Sequence, residues 1–170
     1  MTLAELNTLP APQAETLLAD CCGSMRWAAG VAARRPYETV DALYKTADSV
    51  WWKLERADWL EAFSHHPQIG EAPAVGSPSA RQWAAGEQSG ARSATDDVKE
   101  RLARANRAYL EKFGYIYIVC ASGKSAEAML AILNQRLQND PPSEISIAAE
   151  QQRLITRIRL EKLISTEGKS

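Results

Sequence analysis

The sequence predicts an all-α fold: one compact helical bundle over residues 1–170, with a single short extended segment running through its core. Three observations predict it. Apolar residues recur at helical spacing along nearly the whole chain. Start and stop signals for helices punctuate those runs. Only Tyr115-Ile116-Tyr117-Ile118-Val119-Cys120 is dense in β-branched and aromatic residues, and no partner strand is visible elsewhere.

The elements follow in order. Ala14, Leu17, Leu18 and Cys21 share one helical face, and Gly23 is placed to stop that helix. Ser24 can cap a second helix carrying Trp27, Ala28 and Val31, which Arg35-Pro36-Tyr37 breaks. A third runs from about Thr39 to Leu54 with Val40, Leu43, Ala47 and Val50 on one face. A short fourth, from Asp58 to Ser64, brings Trp59, Leu60 and Phe63 up to His65-His66. Pro67, Gly70, Pro73, Gly76 and Pro78 make the next stretch a loop. A helix resumes near Ser79 and carries Trp83 and Glu87. Val98, Leu102, Ala105, Tyr109 and Phe113 form a long stripe ended by Gly114. Ala126, Met129, Leu130, Leu133 and Leu137 form another, ended before Pro141-Pro142. The last helix is expected from near Ser143, with Ile147, Leu154, Ile155 and Ile158 facing inward. The extended segment between two helices has no ladder for its N–H and C=O groups. Neighbouring loops, water or a polar ligand must meet them.

Bulk composition narrows the function classes. A chain of 170 residues is long enough to bury a real core as one domain. A net charge of −1 gives no electrostatic footprint for nucleic acid. No apolar run approaches the ~20 residues of a bilayer span, and Met1-Thr2-Leu3-Ala4-Glu5 does not open a signal peptide, so a soluble cytosolic protein is expected. Cys21, Cys22 and Cys120 are odd in number and include an adjacent pair, which points to buried reduced thiols rather than a disulfide framework.

Three side chains stand out for chemistry. His66 precedes Pro67, which pushes it out of helical geometry and to a helix exit. A proton-transfer role, a structural cap and metal ligation are all open to it. Adjacent histidines point about 100° apart on a helix and chelate poorly, and no third ligand stands at metal spacing. Glu87 shares a helical face with Trp83, as a pocket wall or as an ordinary solvated acid. Arg159, four residues after Ile155, lies at the edge of the last helix's apolar face; it can snorkel or present its planar fork to an anion. Arg153 and Arg157 lie further round and read as solvated. A Cys120–His66 nucleophilic pair is a remote further option.

The order of these pieces resembles the 2-oxo-4-hydroxy-4-carboxy-5-ureidoimidazoline (OHCU) decarboxylase family, which forms (S)-allantoin at the end of urate breakdown. The matching pieces are Arg35-Pro36-Tyr37, His66-Pro67-Gln68-Ile69-Gly70 and Glu87-Gln88. Further on come Tyr109-Leu110-Glu111-Lys112-Phe113-Gly114-Tyr115, residues 117–121 and Arg157-Ile158-Arg159-Leu160. The resemblance implies an all-α enzyme without cofactor or metal, acting on a small molecule as a homodimer, with cytosolic bacterial members. It implies catalytic roles for His66, Glu87 and Arg159. It implies substrate contacts from Pro67, from Ala84, Ala85, Gly86, Glu87 and Gln88, and from Tyr117, Ile118, Val119, Cys120 and Ala121. The family usually has a serine where this chain has Ala84, so a hydroxyl contact is missing there. The ending Gly168-Lys169-Ser170 is not the Ser-Lys-Leu peroxisomal address. Two other readings stand beside this one: a hydrolase or lyase of a related ureide, and a non-catalytic helical module docking through Trp51-Trp52-Lys53.

Overall fold

A computed structural model describes residues 1–72 and 76–164, so Pro73 and the chain's last residues, including Gly168-Lys169-Ser170, lie outside the described part. Among the described residues the regular structure is helical, with no strand and no helix long and apolar enough to cross a membrane. The helices are α1 (Leu3–Thr8), α2 (Ala11–Cys22), α3 (Met25–Ala32), α4 (Val40–Trp52) and α5 (Arg56–Ser64). They continue with α6 (Pro78–Glu87), α7 (Asp96–Phe113), α8 (Ala126–Arg136) and α9 (Pro141–Ile164), with a 3-10 turn at Ser89–Ala91. The chain groups into two units, Met1–Ala62 with the residues from Arg153 onward, and Phe63–Gln152.

The ends of the helices follow from local chemistry. Ser24, Thr39, Ser77, Thr95 and Ser125 are N-caps whose hydroxyls accept from the backbone N–H three residues on. Gly23 and Gly114 take the left-handed conformation that ends α2 and α7, which costs glycine no side-chain clash. Helix α1 has no counterpart among the elements expected from periodicity. It is only six residues long and is held by a reciprocal capping box between Thr2 and Glu5.

In the first unit α2 packs on α3 and α3 on α4. Leu6, Leu18, Trp27, Leu43, Trp51 and Leu160 are among its fully enclosed side chains, and Trp27 satisfies its indole N–H on the Ala47 carbonyl at 3.0 Å. The Arg35-Pro36-Tyr37 break is a structural joint with a cis Arg35–Pro36 peptide. Arg35 donates to the carbonyls of Leu6, Leu9 and Ala32, which lie at the ends of α1 and α3. Asn7 pairs with the backbone of Tyr37 in both directions, at 2.9 Å each. The run Trp51-Trp52-Lys53 does not form a continuous surface: Trp51 is buried and only Trp52 is an exposed tryptophan there. Cys21, Cys22 and Cys120 are free and buried, as expected.

In the second unit α7 packs on α8 around an aromatic cluster of Phe63, Tyr109, Phe113, Tyr115 and Tyr117. The extended stretch after Gly114 passes through this cluster and pairs with no strand. Two expectations for α9 need correction. It starts at Pro141, using the freedom of proline in a first helical turn. Ile147 faces solvent at 37% exposure, and Leu154 and Ile158 are only half-buried. The inward face instead runs through Glu144, Ile145, Ala148, Ala149, Gln152, Ile155, Thr156 and Arg159. Four of those eight are polar or charged, so hydrophobic periodicity alone assigned the wrong stripe.

Candidate active site

His66 stands two residues past the end of α5, where its N–H still donates to the Phe63 carbonyl at 3.2 Å. The next residue, Pro67, turns the chain away, so the imidazole projects from a helix exit rather than from a helix face. His66 is half-buried and His65 is exposed, which separates the two adjacent rings. His66 Nε2 lies 2.6 Å from the Oε1 of Gln152, a fully buried residue of α9.

Two side chains hold the turn that follows. The Gly70 N–H donates to Gln88 Oε1 at 3.1 Å, and Asn106 Nδ2 of α7 donates to the Ile69 carbonyl at 3.3 Å. Gln88 is itself the C-cap of α6, with its N–H on Ala84. The turn bearing His66 is therefore tied to the end of α6, where Glu87 sits. Glu87 is 8% exposed, which sets aside the reading of an ordinary solvated acid. Ala84 is also buried, and no hydroxyl stands in its place.

The segment 117–121 obtains its hydrogen bonds from side chains. Arg136 Nη1 donates to the Ile118 carbonyl. The Cys120 N–H donates to Gln151 Oε1 at 2.9 Å, and Lys124 Nζ donates to the Cys120 carbonyl at 2.7 Å. Arg136 is held in turn by Glu144, whose Oε1 accepts from Arg136 Nε at 2.6 Å and from the Tyr109 hydroxyl at 2.6 Å. Burial, and then the Glu144 hydrogen bond, raise the Tyr109 phenol well above its usual range, so it stays a donor. Gly90 lets the turn after α6 approach the turn that follows this segment: a Cβ there would stand 2.2 Å from the Lys124 carbonyl oxygen.

A cavity of about 820 Å³ opens in this unit, within the range of small-molecule sites. Of the expected site residues in this unit, Ala84, Ala85 and Gln88 line it; His66, Pro67, Gly86, Glu87 and residues 117–121 do not. Its wall also carries Arg92, Lys99 and Arg107 against the single acid Glu71, and the buried Asn106. Asn106 Oδ1 has no hydrogen-bond partner among the described residues. An acceptor in the wall and cations around it suit an anionic molecule that carries N–H groups. Sequence reasoning missed Asn106, Lys99, Arg107, Gln151 and Gln152. Only the spacing of Lys99, Asn106 and Arg107 along α7 carried a signal, since residues seven and eight apart share a helical face.

Arg159 belongs to the first unit. It is 5% exposed, so it does not snorkel, and its Nη1 lies 3.4 Å from the Asp20 carbonyl. It also lowers the cost of a thiolate at Cys21 and Cys22, but burial outweighs it and pushes the Cys22 thiol up to about 12. Arg153 and Arg157 are not simply solvated. Arg153 pairs with Asp48 at 3.2 Å, and Arg157 stacks 3.6 Å over the Tyr44 ring. Among the described residues no group of three or more His, Cys, Asp or Glu is placed to hold a metal ion.

Known proteins are similar to this chain in sequence and in fold. A sequence profile of a family described as OHCU decarboxylase matches residues 7–161. The chain is 41% identical over 152 residues to the uric acid degradation bifunctional protein TTL of Arabidopsis thaliana, covering 88% of this chain and 47% of that one. It thus spans about half the length of that relative. It is 23% identical over 168 residues to the 2-oxo-4-hydroxy-4-carboxy-5-ureidoimidazoline decarboxylase of Haloferax volcanii, covering 98% of each chain. A crystal structure of OHCU decarboxylase in the presence of (S)-allantoin matches with a TM-score of 0.76 at 36% identity, over 86% of this chain and 96% of that one.

Proposed function

This chain belongs to the OHCU decarboxylase family, and from that premise we propose that it converts OHCU to (S)-allantoin and CO2. The substrate carries a carboxylate and a hydroxyl on one ring carbon, next to a C=N bond. When the bond to the carboxylate breaks, its electron pair forms a C=C bond to the neighbouring carbon, and the C=N pair moves onto nitrogen, which takes a proton. The enol hydroxyl then loses its proton, and the carbon bearing the ureido group is protonated on one face. The C=N bond is the electron sink, so the reaction calls for neither cofactor nor metal.

His66 is the proposed proton carrier, a role worth about 10²–10⁴-fold in rate. Glu87 orients or shares that proton, and its burial at the end of α6 supports this over the reading of a solvated surface acid. Arg159 is the proposed partner of the substrate's negative charge. Pro67, residues 84–88 and the backbone of residues 117–121 are the proposed substrate contacts. The observation that carries the proposal is the His66 ring, held at a helix exit by Gln152 in the same unit as the buried Glu87. The protein is further proposed to act as a homodimer in the cytoplasm, with residues 1–170 as one catalytic domain.

The test offers freshly generated OHCU beside stable hydantoins and ureides. Consumption of OHCU alone, above its spontaneous decay, is the expected result. Turnover of a ureide with OHCU untouched would replace this reading with the hydrolase or lyase alternative.

A further inference from the structure

Helix α9 presents two adjacent glutamines to two different parts of the proposed site. Consecutive helical residues point about 100° apart, and here each reaches a separate target. Gln151 Oε1 accepts from the Cys120 N–H at 2.9 Å, and Gln152 Oε1 lies 2.6 Å from His66 Nε2. Gln152 is completely enclosed, and neither atom of its amide is orphaned among the described residues. An enclosed carboxamide is held in one orientation by what surrounds it, and here its Oε1 faces the imidazole.

An amide oxygen only accepts hydrogen bonds. A bare Nε2 facing it would set two acceptors against each other at hydrogen-bond distance. Which imidazole nitrogen carries the proton is set by the hydrogen bonds the ring makes. We propose that Gln152 is a positioning residue that fixes neutral His66 as its Nε2–H tautomer, leaving Nδ1 as the nitrogen that takes and returns the proton. The adjacent Gln151 holds the 117–121 backbone from the same helix turn, so α9 sets both in one frame. The inference rests on His66 being the proton carrier proposed above.

The test uses the whole chain labelled with 15N-histidine. Its two histidines, His65 and His66, give two imidazoles to assign. The expected result is a protonated Nε2 and a bare Nδ1 on neutral His66. In Gln152→Leu that bias is lost, and kcat falls by about 10–100-fold while KM changes little. Gln151→Leu serves as the control for general loosening and leaves the His66 signature in place. A protonated Nδ1 in the wild-type protein overturns the proposal without any variant. An unchanged His66 signature in Gln152→Leu, or an equal change in Gln151→Leu, overturns it as well. Absence of OHCU turnover by the wild-type protein would strike the proposed function instead, while the tautomer measurement still decides the role of Gln152.

Discussion

Replacing Arg136 with methionine should destabilise the protein severely, through a charge left behind rather than through lost packing. Arg136 closes α8 and is 5% exposed; Glu144, in the first turn of α9, is 0% exposed. Methionine fills much of the same volume but leaves the Glu144 carboxylate, among the described residues, with the Tyr109 hydroxyl and the Asn139 amide, at 2.6 and 2.9 Å. Breaking a buried pair on one side costs about 3–5 kcal/mol. The Ile118 carbonyl also loses its donor, worth roughly 1 kcal/mol or more. A chain of this length loses about 2–4 °C of Tm per kcal/mol, so a drop of roughly 8–16 °C is expected for a loss near ~4 kcal/mol. Urea unfolding followed by far-UV circular dichroism measures the loss. The double variant Arg136→Met/Glu144→Leu should recover much of it, because no buried charge remains unpaired. A single variant within about 1 kcal/mol of wild type, or a double variant no better than the single, would refute this reasoning. The pair also anchors the backbone proposed to read the substrate, so KM should rise in any Arg136→Met protein that stays folded.

Three further outcomes follow from the geometry. Gly90→Ala should cost about 1–3 kcal/mol, since its Cβ would meet the Lys124 carbonyl. Gly86→Ala, whose Cβ meets nothing within 4 Å, should gain roughly 0.5–1 kcal/mol by helix propensity; thermal melts of the two variants should move in opposite directions. Cys21 and Cys22 should resist thiol reagents until the protein unfolds. The Cys22 thiol is pushed from an ordinary value near 9 to about 12, first by burial, so the native state keeps a proton that the unfolded chain releases. Stability is therefore intact below pH 9 and falls as pH rises from there toward 12, in a window that Cys22→Ala should flatten.

The fold was legible wherever a periodic apolar face met a cap, as from Ser24 to Ala32 and from Thr95 to Gly114. It was less legible where polar groups are buried. Helix α9 turns Glu144, Gln152 and Arg159 inward and Ile147 outward. No hydropathy pattern can anticipate that, because the partners that satisfy those groups lie elsewhere in the chain: Glu144 meets Arg136 and Tyr109, and Gln152 meets His66. Helix α1 was missed although Thr2 and Glu5 stand at capping-box spacing. In the candidate site, His66 was marked by Pro67, and Glu87 became identifiable through its place in an ordered set of motifs. Gln152 had no local mark at all, being one of two adjacent glutamines in a polar run. Asn106 likewise sits inside an ordinary amphipathic helix, and only its burial reveals it.

The most direct measurement follows circular dichroism while OHCU, generated freshly from urate, is mixed with the wild-type chain and with His66→Ala. Rapid appearance of a single enantiomer, (S)-allantoin, is predicted with the wild-type chain. A loss of about 10²–10⁴-fold is predicted in His66→Ala, with the variant still folded. Decay no faster than the spontaneous reaction with the wild-type chain, or a full rate in His66→Ala, would contradict the assignment of His66 as the proton carrier of an OHCU decarboxylase.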